Sequence, residues 1–101
     1  MSFYKAVAEN RKSVSKLAIG MSKDEVLKIM GTEPFIYGRM TVNNPYRVQR
    51  LQGSSKVYQV VYYVTSIETD DNIIDENELT PFIFSDGKLI GCGWSFMEGI
   101  R

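Results

Sequence analysis

The sequence predicts an α+β fold: an N-terminal helix-turn-helix pair packed on a roughly four-stranded antiparallel sheet, in two layers. Three observations predict it. Apolar residues recur at a helical period only in the first part of the chain, up to Met30. The run Val57–Ser66 is almost wholly β-branched and aromatic, as a strand requires. An Asp86-Gly87 pair stands between two apolar runs, which is a strong hairpin signal. Helices gathered ahead of strands imply an α+β arrangement and not an alternating α/β one. At 101 residues, the chain is read as one domain over 1–101.

The first helix is expected over residues 4–18. Tyr4, Val7, Ala8, Val14, Leu17 and Ala18 fall near a 3.6-residue period, and Gly20 is placed to end it. The second, over residues 22–30, carries the clearest local signal. Ser22 is a natural N-cap, and Glu25 three residues on completes a capping box. Met21 and Val26 bracket the cap as a hydrophobic staple, and Asp24 and Glu25 lie where the helix dipole favours negative charge. Gly31 stops the helix. A helix this short is not stable alone and must be held by packing.

Pro34 opens an extended segment, Phe35-Ile36-Tyr37, and Asn43-Asn44-Pro45 reads as a turn. Tyr46–Leu51 is a strand candidate, returned by the loop Gly53-Ser54-Ser55. The near-continuous apolarity of Val57–Ser66 marks a central strand and leaves open whether both its faces are covered. Residues 67–78 form a polar loop with six acids. Leu79–Phe84 and Lys88–Phe96 then make the final hairpin. With a two-residue turn, Phe84 lies opposite Leu89 and Phe82 opposite Gly91; a bulge shifts that pairing.

Composition narrows the function classes. The formal net charge is zero, yet residues 1–56 hold ten Lys/Arg against four acids and residues 57–101 two against eight. The basic residues are scattered, so the asymmetry reads as solvated faces and one acidic loop, and no nucleic-acid partner is expected. There is no histidine and one cysteine, Cys92, which excludes Ser-His-Asp and Cys-His sites and Cys/His zinc sites. No apolar run reaches the ~20 residues of a membrane span, and Met-Ser-Phe-Tyr-Lys does not lead into a signal-peptide core.

Three groups of residues are candidate sites. The acidic loop (Glu68, Asp70, Asp71, Asp75, Glu76, Glu78) clusters oxygen ligands as a calcium loop does, but lacks the D-x-[DN]-x-[DN]-G pattern. It reads as a solvated loop that keeps its flanking strands from sticking to other chains. Tyr58, Tyr62, Tyr63, Phe82, Phe84, Trp94 and Phe96 resemble a stacking platform, but residues 57–87 hold no Lys or Arg, so core is the stronger reading. Cys92, between two glycines and beside no cation, reads as a small buried hydrophobe. No catalytic, metal or cofactor-binding residue is assigned, and no cofactor is expected.

Leu17-Ala18-Ile19-Gly20-Met21-Ser22-Lys23-Asp24-Glu25-Val26, closed by Met30-Gly31, resembles the L-x-x-G-M-[ST]-x-x-x-V…G signature of the SmpA/OmlA (BamE-like) small envelope lipoproteins. The segment Thr80–Trp94 is similar to the C-terminal hairpin of the same group. The resemblance implies a helical pair on a sheet, exported to a bacterial envelope, tethered by lipid, and serving as an accessory scaffold in outer-membrane assembly. The architecture is also similar to that of β-lactamase-inhibitor-like proteins, which act by binding. Two departures stand out. Cys92 lies far from any lipobox position, so membrane association is expected only through an anchor outside this chain. Residues 35–55 carry over no partner-binding residue. The expectation is therefore a non-enzymatic envelope scaffold with a protein partner. The alternative is a cytosolic regulatory or inhibitor domain that binds a protein through its sheet.

Overall fold

A computed structural model describes residues 2–69 and 71–101. The order is α1 (Phe3–Val14), α2 (Lys23–Met30), β1 (Phe35–Tyr37), β2 (Met40–Val42), β3 (Arg47–Gln52), β4 (Val57–Val64), a 3-10 turn (Glu76–Glu78), β5 (Leu79–Ser85), β6 (Lys88–Cys92) and α3 (Trp94–Ile100). The main sheet is antiparallel with order β3-β4-β5-β6, and β1 and β2 form a separate hairpin. The α+β class, the helix pair ahead of the strands and the four-stranded antiparallel sheet are as the sequence predicts, but α1 and α2 pack on opposite faces of β4 and a third helix follows the strands.

The first helix is shifted toward the N-terminus from its expected span. Ser2 caps it, its side chain accepting from the Lys5 amide, and it ends at Val14 with Ser15 as C-cap, not at Gly20. Its buried face is Phe3, Ala6, Val7, Asn10 and Ser13, while Tyr4 and Ala8 face out. The polar Asn10 belongs inside because its amide donates to the Val64 carbonyl and to Asn44 Oδ1, both at 3.0 Å. A buried polar group so satisfied carries little penalty. The second helix forms as predicted. The Ser22–Glu25 capping box closes in both directions, and Met21 and Val26 belong to one apolar cluster. The Tyr63 hydroxyl donates to the Gly31 carbonyl at 2.8 Å and ties the helix end to β4.

β4 sorts the core into two clusters. On its first face, Val60, Tyr62 and Val64 pack with Phe3, Ala6 and Val7 of α1, with the β1–β2 hairpin and with Met97 of α3. On its second face, Val61 and Tyr63 pack with Val26 and Met30 of α2 and with Phe82, Phe84 and Leu89. Both faces of β4 are covered, the option its apolarity left open. Each such buried side chain contributes ~1.5–3 kcal/mol.

The C-terminal hairpin turns at Asp86-Gly87, both at positive φ (52° and 78°) as a type I′ turn requires. Phe84 faces Leu89 as expected, but a bulge between Ile83 and Phe84 puts Gly91 opposite Ile83 and Phe82 opposite Cys92. The ring over Gly91 is that of Phe96, not Phe82: a Cβ on Gly91 would lie 2.6 Å from it. The expected strand to Phe96 stops at Cys92, and α3 follows across the first face. Trp94 anchors its start through its indole N–H, which donates to the Leu79 carbonyl at 2.9 Å. β6 ends opposite Phe82, and beyond it the Pro81 carbonyl accepts the Gly93 amide at 2.8 Å, so the side on which Pro81 lacks an N–H lies past the end of β6, where proline is tolerated.

Candidate interaction surface

The two outer strands of the main sheet present their backbones differently. β6 is covered. The Gly20 amide donates to the Leu89 carbonyl at 2.8 Å, the Leu89 amide donates to the Met21 carbonyl at 2.8 Å, and the Lys23 amide donates to the Gly87 carbonyl at 3.2 Å. The connection between α1 and α2 thus lies along β6, with a bridge between Ser22 and Lys88. Gly20 permits this with φ at +95°, a conformation that costs an L side chain about 1–2 kcal/mol.

β3 is paired on one side only, with β4. Its residues are Arg47, Val48, Gln49, Arg50, Leu51 and Gln52. Leu51 turns into the first-face core, and Gln49 donates to the Tyr62 hydroxyl at 2.7 Å. Arg47 lies over the Tyr62 ring, 4.2 Å from its centroid, and makes a bidentate bridge to Glu76 at 2.9 and 3.0 Å. That bridge lowers the Glu76 carboxyl below its ordinary range and raises the Arg47 guanidinium, each chiefly through the hydrogen bond to the other. Val48, Arg50 and Gln52 point to the second face and are exposed. A shallow hollow of about 230 Å³ lies beside them, lined by Arg50, Val57, Gln59, Phe84 and Asp86.

A second concavity, of about 400 Å³, separates β2 from residues 72–74. Met40, Val42, Tyr46, Ile73 and Ile74 give it an apolar lining, with Asn43 and Asn72 among its polar groups. The Tyr37 hydroxyl accepts the Asn72 amide at 2.8 Å at one end, and the Arg47–Glu76 bridge holds the other. Asn72 sits at φ 63°, a conformation asparagine tolerates better than most residues.

The acidic loop is organised by Glu78, which is 1% exposed. Its carboxylate accepts the backbone amides of Glu68, Thr69 and Asp75 at 2.9, 3.3 and 2.8 Å. The six acids therefore do not act as one ligand set: Glu78 holds the loop together and Glu76 is bridged to Arg47. Asp70 lies outside the described residues. Among the described residues, no three of the acids and the cysteine come together as a metal site. The strand aromatics are core, with Tyr62, Tyr63, Phe82 and Phe84 fully buried. Cys92 is exposed, contrary to the expectation of a buried hydrophobe. The bulge in β5–β6 and the start of α3 place it on the outside of the hairpin's end.

Residue-by-residue reading of the sequence passed over β3 as a surface. The available signal was its composition. Alternating Arg and Gln around two apolar residues is how natural edge strands discourage indiscriminate pairing.

Among the described residues, no helix is long and apolar enough to cross a membrane. A family model described as a protein of unknown function, DUF3192, matches residues 1–98. No curated protein and no solved structure matches the chain.

Proposed function

The chain belongs to the DUF3192 family, and we propose that it is a non-catalytic interaction module of a bacterial cell-envelope lipoprotein, holding a protein partner for outer-membrane assembly or maintenance. The observation that carries the binding role is the unequal treatment of the sheet's edges: β6 is closed by the chain's own Gly20–Lys23, while β3 is left open. A scaffold needs such a surface and needs no reactive group. The sequence offers no histidine, and the one cysteine has no neighbouring cation to activate it. The envelope role rests on the SmpA/OmlA-like signature. Its residues here fall in the connection between α1 and α2, residues 15–22, with Gly20 turning and Ser22 capping, and in α2 itself.

Fractionation of the native bacterium expressing the complete gene tests this reading. The protein is expected in the envelope fraction, resistant to a high-salt wash and released by detergent. Recovery in the cytosol as a stoichiometric soluble complex overturns the envelope assignment and favours the cytosolic regulator.

A further inference from the structure

The open edge has a chemistry of its own. The Gly53 amide donates to the Lys56 carbonyl at 2.9 Å and closes the β3–β4 loop. Antiparallel alternation from that bond directs the backbone groups of Arg47, Gln49 and Leu51 toward β4. The N–H and C=O groups of Val48, Arg50 and Gln52 therefore face outward. The side chains of the same three residues lie on the second face and are exposed. Val48 there is 49% exposed, and Val57, opposite Gln52 at the far end of the pair, is 43% exposed.

The charge carried by this stretch of chain has one sign, although Asp86 of the final hairpin lines the hollow beside Arg50. Between Pro34 and Ile67 the chain contains four cations, Arg39, Arg47, Arg50 and Lys56, and no carboxylate. Arg47 is already engaged by Glu76. Arg50 and Lys56 are exposed and have no ion-pair partner among the described residues. An edge of like cations disfavours an identical edge from a second copy. It suits a strand that brings carboxylates.

We propose that β3 receives an added strand from a protein partner, an extended segment that carries an apolar residue and, two residues along on the same face, Asp or Glu. Main-chain bonds to Val48, Arg50 and Gln52 supply the attachment, and side chains supply the selection. On the second face the apolar residue lies against Val48 and the acid two residues along meets Arg50. This inference rests on the reading of the chain as an interaction module and names the chemistry of its partner.

The test is an NMR titration of the labelled chain with two synthetic peptides of about ten residues, one repeating Val-Thr-Glu-Thr and one Val-Thr-Lys-Thr, so that valine and the charged residue alternate along one face. The acidic peptide is expected to bind about tenfold tighter, with amide shifts centred on Val48, Arg50 and Gln52 and an affinity that falls as salt rises. Arg50→Glu should invert the preference. Val48→Pro removes an outward donor while sparing the bonds to β4. It should weaken binding about tenfold with the melting curve retained. Equal binding of the two peptides, binding of neither, or shifts centred on Met40–Asn43 and residues 72–74 overturns the proposal. So does self-association of the free chain through β3. Each of these leaves the envelope fractionation unaffected, so the two readings fail separately.

Discussion

β6 and β3 are the outer strands of one sheet, and they meet opposite fates. β6 is five residues long and has the chain's own backbone laid along it, fixed by three hydrogen bonds at 2.8–3.2 Å. β3 is six residues long and, among the described residues, has no strand on its outer side, but carries two arginines and two glutamines. An unpaired edge is a hazard that can be removed by cover or blunted by charge. This chain does one on each side. Covering an edge needs a specific backbone path, here through a positive-φ glycine between two helices. Blunting an edge needs only side chains, and leaves the backbone usable by a partner that matches them.

Matched prolines break the comparison most sharply. Gly20→Pro at the covered edge removes the amide that binds Leu89 and forces φ from +95° to about −65°. It should destabilise the chain by about 3 kcal/mol or more, read as a fall in the denaturation midpoint. Gly20→Ala separates the two causes. It keeps the amide and meets no atom within 4 Å, so its cost should be the backbone term alone, ~1–2 kcal/mol.

The next effect belongs to β6 itself. Gly91→Ala places a methyl 2.6 Å from the Phe96 ring. The ring is partly buried against the first-face core and must move with α3. Overpacking of this kind costs ~1–3 kcal/mol. On β3, where Arg50 is exposed, Arg50→Ala should change stability by no more than ~0.5 kcal/mol. Thermal melts of both variants check the contrast.

How far each edge was legible follows from the range of the forces that make it. The Ser22–Glu25 box spans three residues, so the start of α2 could be read directly. So could the Asp86-Gly87 turn. The phase of α1 could not, because Asn10 is buried through bonds to Asn44 and Val64, far along the chain. The apolar period legible in the sequence therefore runs through Tyr4 and Ala8, which are exposed. α3 was hidden because Trp94 and Phe96 continue the alternation of β6, while a packed Gly91 and a positive φ at Gly93 end the strand. In the acidic loop, nothing near Glu78 in sequence distinguishes it from its neighbours. It is singled out by three amides that converge only once the loop is folded. Edge status is the least local property. Arg-Val-Gln-Arg-Leu-Gln becomes an edge only because no other segment lies beside it.

The smallest effect concerns the anchors of the two edges, and it is a pH effect. Glu76 holds the start of β3 through Arg47, and Glu25 holds the cap beside β6 through the Ser22 amide. Hydrogen bonding lowers both carboxyls: the Arg47 bond is the main cause for Glu76, and the Ser22 amide for Glu25. A carboxyl whose value falls on folding contributes stability that is fully present above its ordinary 4.5. The contribution is lost as pH drops below 4.5 and through the lowered folded value. The bridge is surface-exposed, 35% on the Arg47 side chain and 63% on Glu76, so solvent screens it and its worth is about 0.5 kcal/mol. Glu76→Gln should lower the melting temperature near pH 7 by about 2–4 °C and should flatten the acid limb of the stability curve below pH 4.5. The bridge is the weaker anchor if added salt at pH 7 erases the Glu76→Gln difference while leaving Glu25→Gln destabilising, since a capping bond to backbone resists screening better than an exposed ion pair. An acid limb that survives Glu76→Gln unchanged, but is flattened by Glu25→Gln, assigns the pH sensitivity to the covered edge and leaves the open one held by β4 alone.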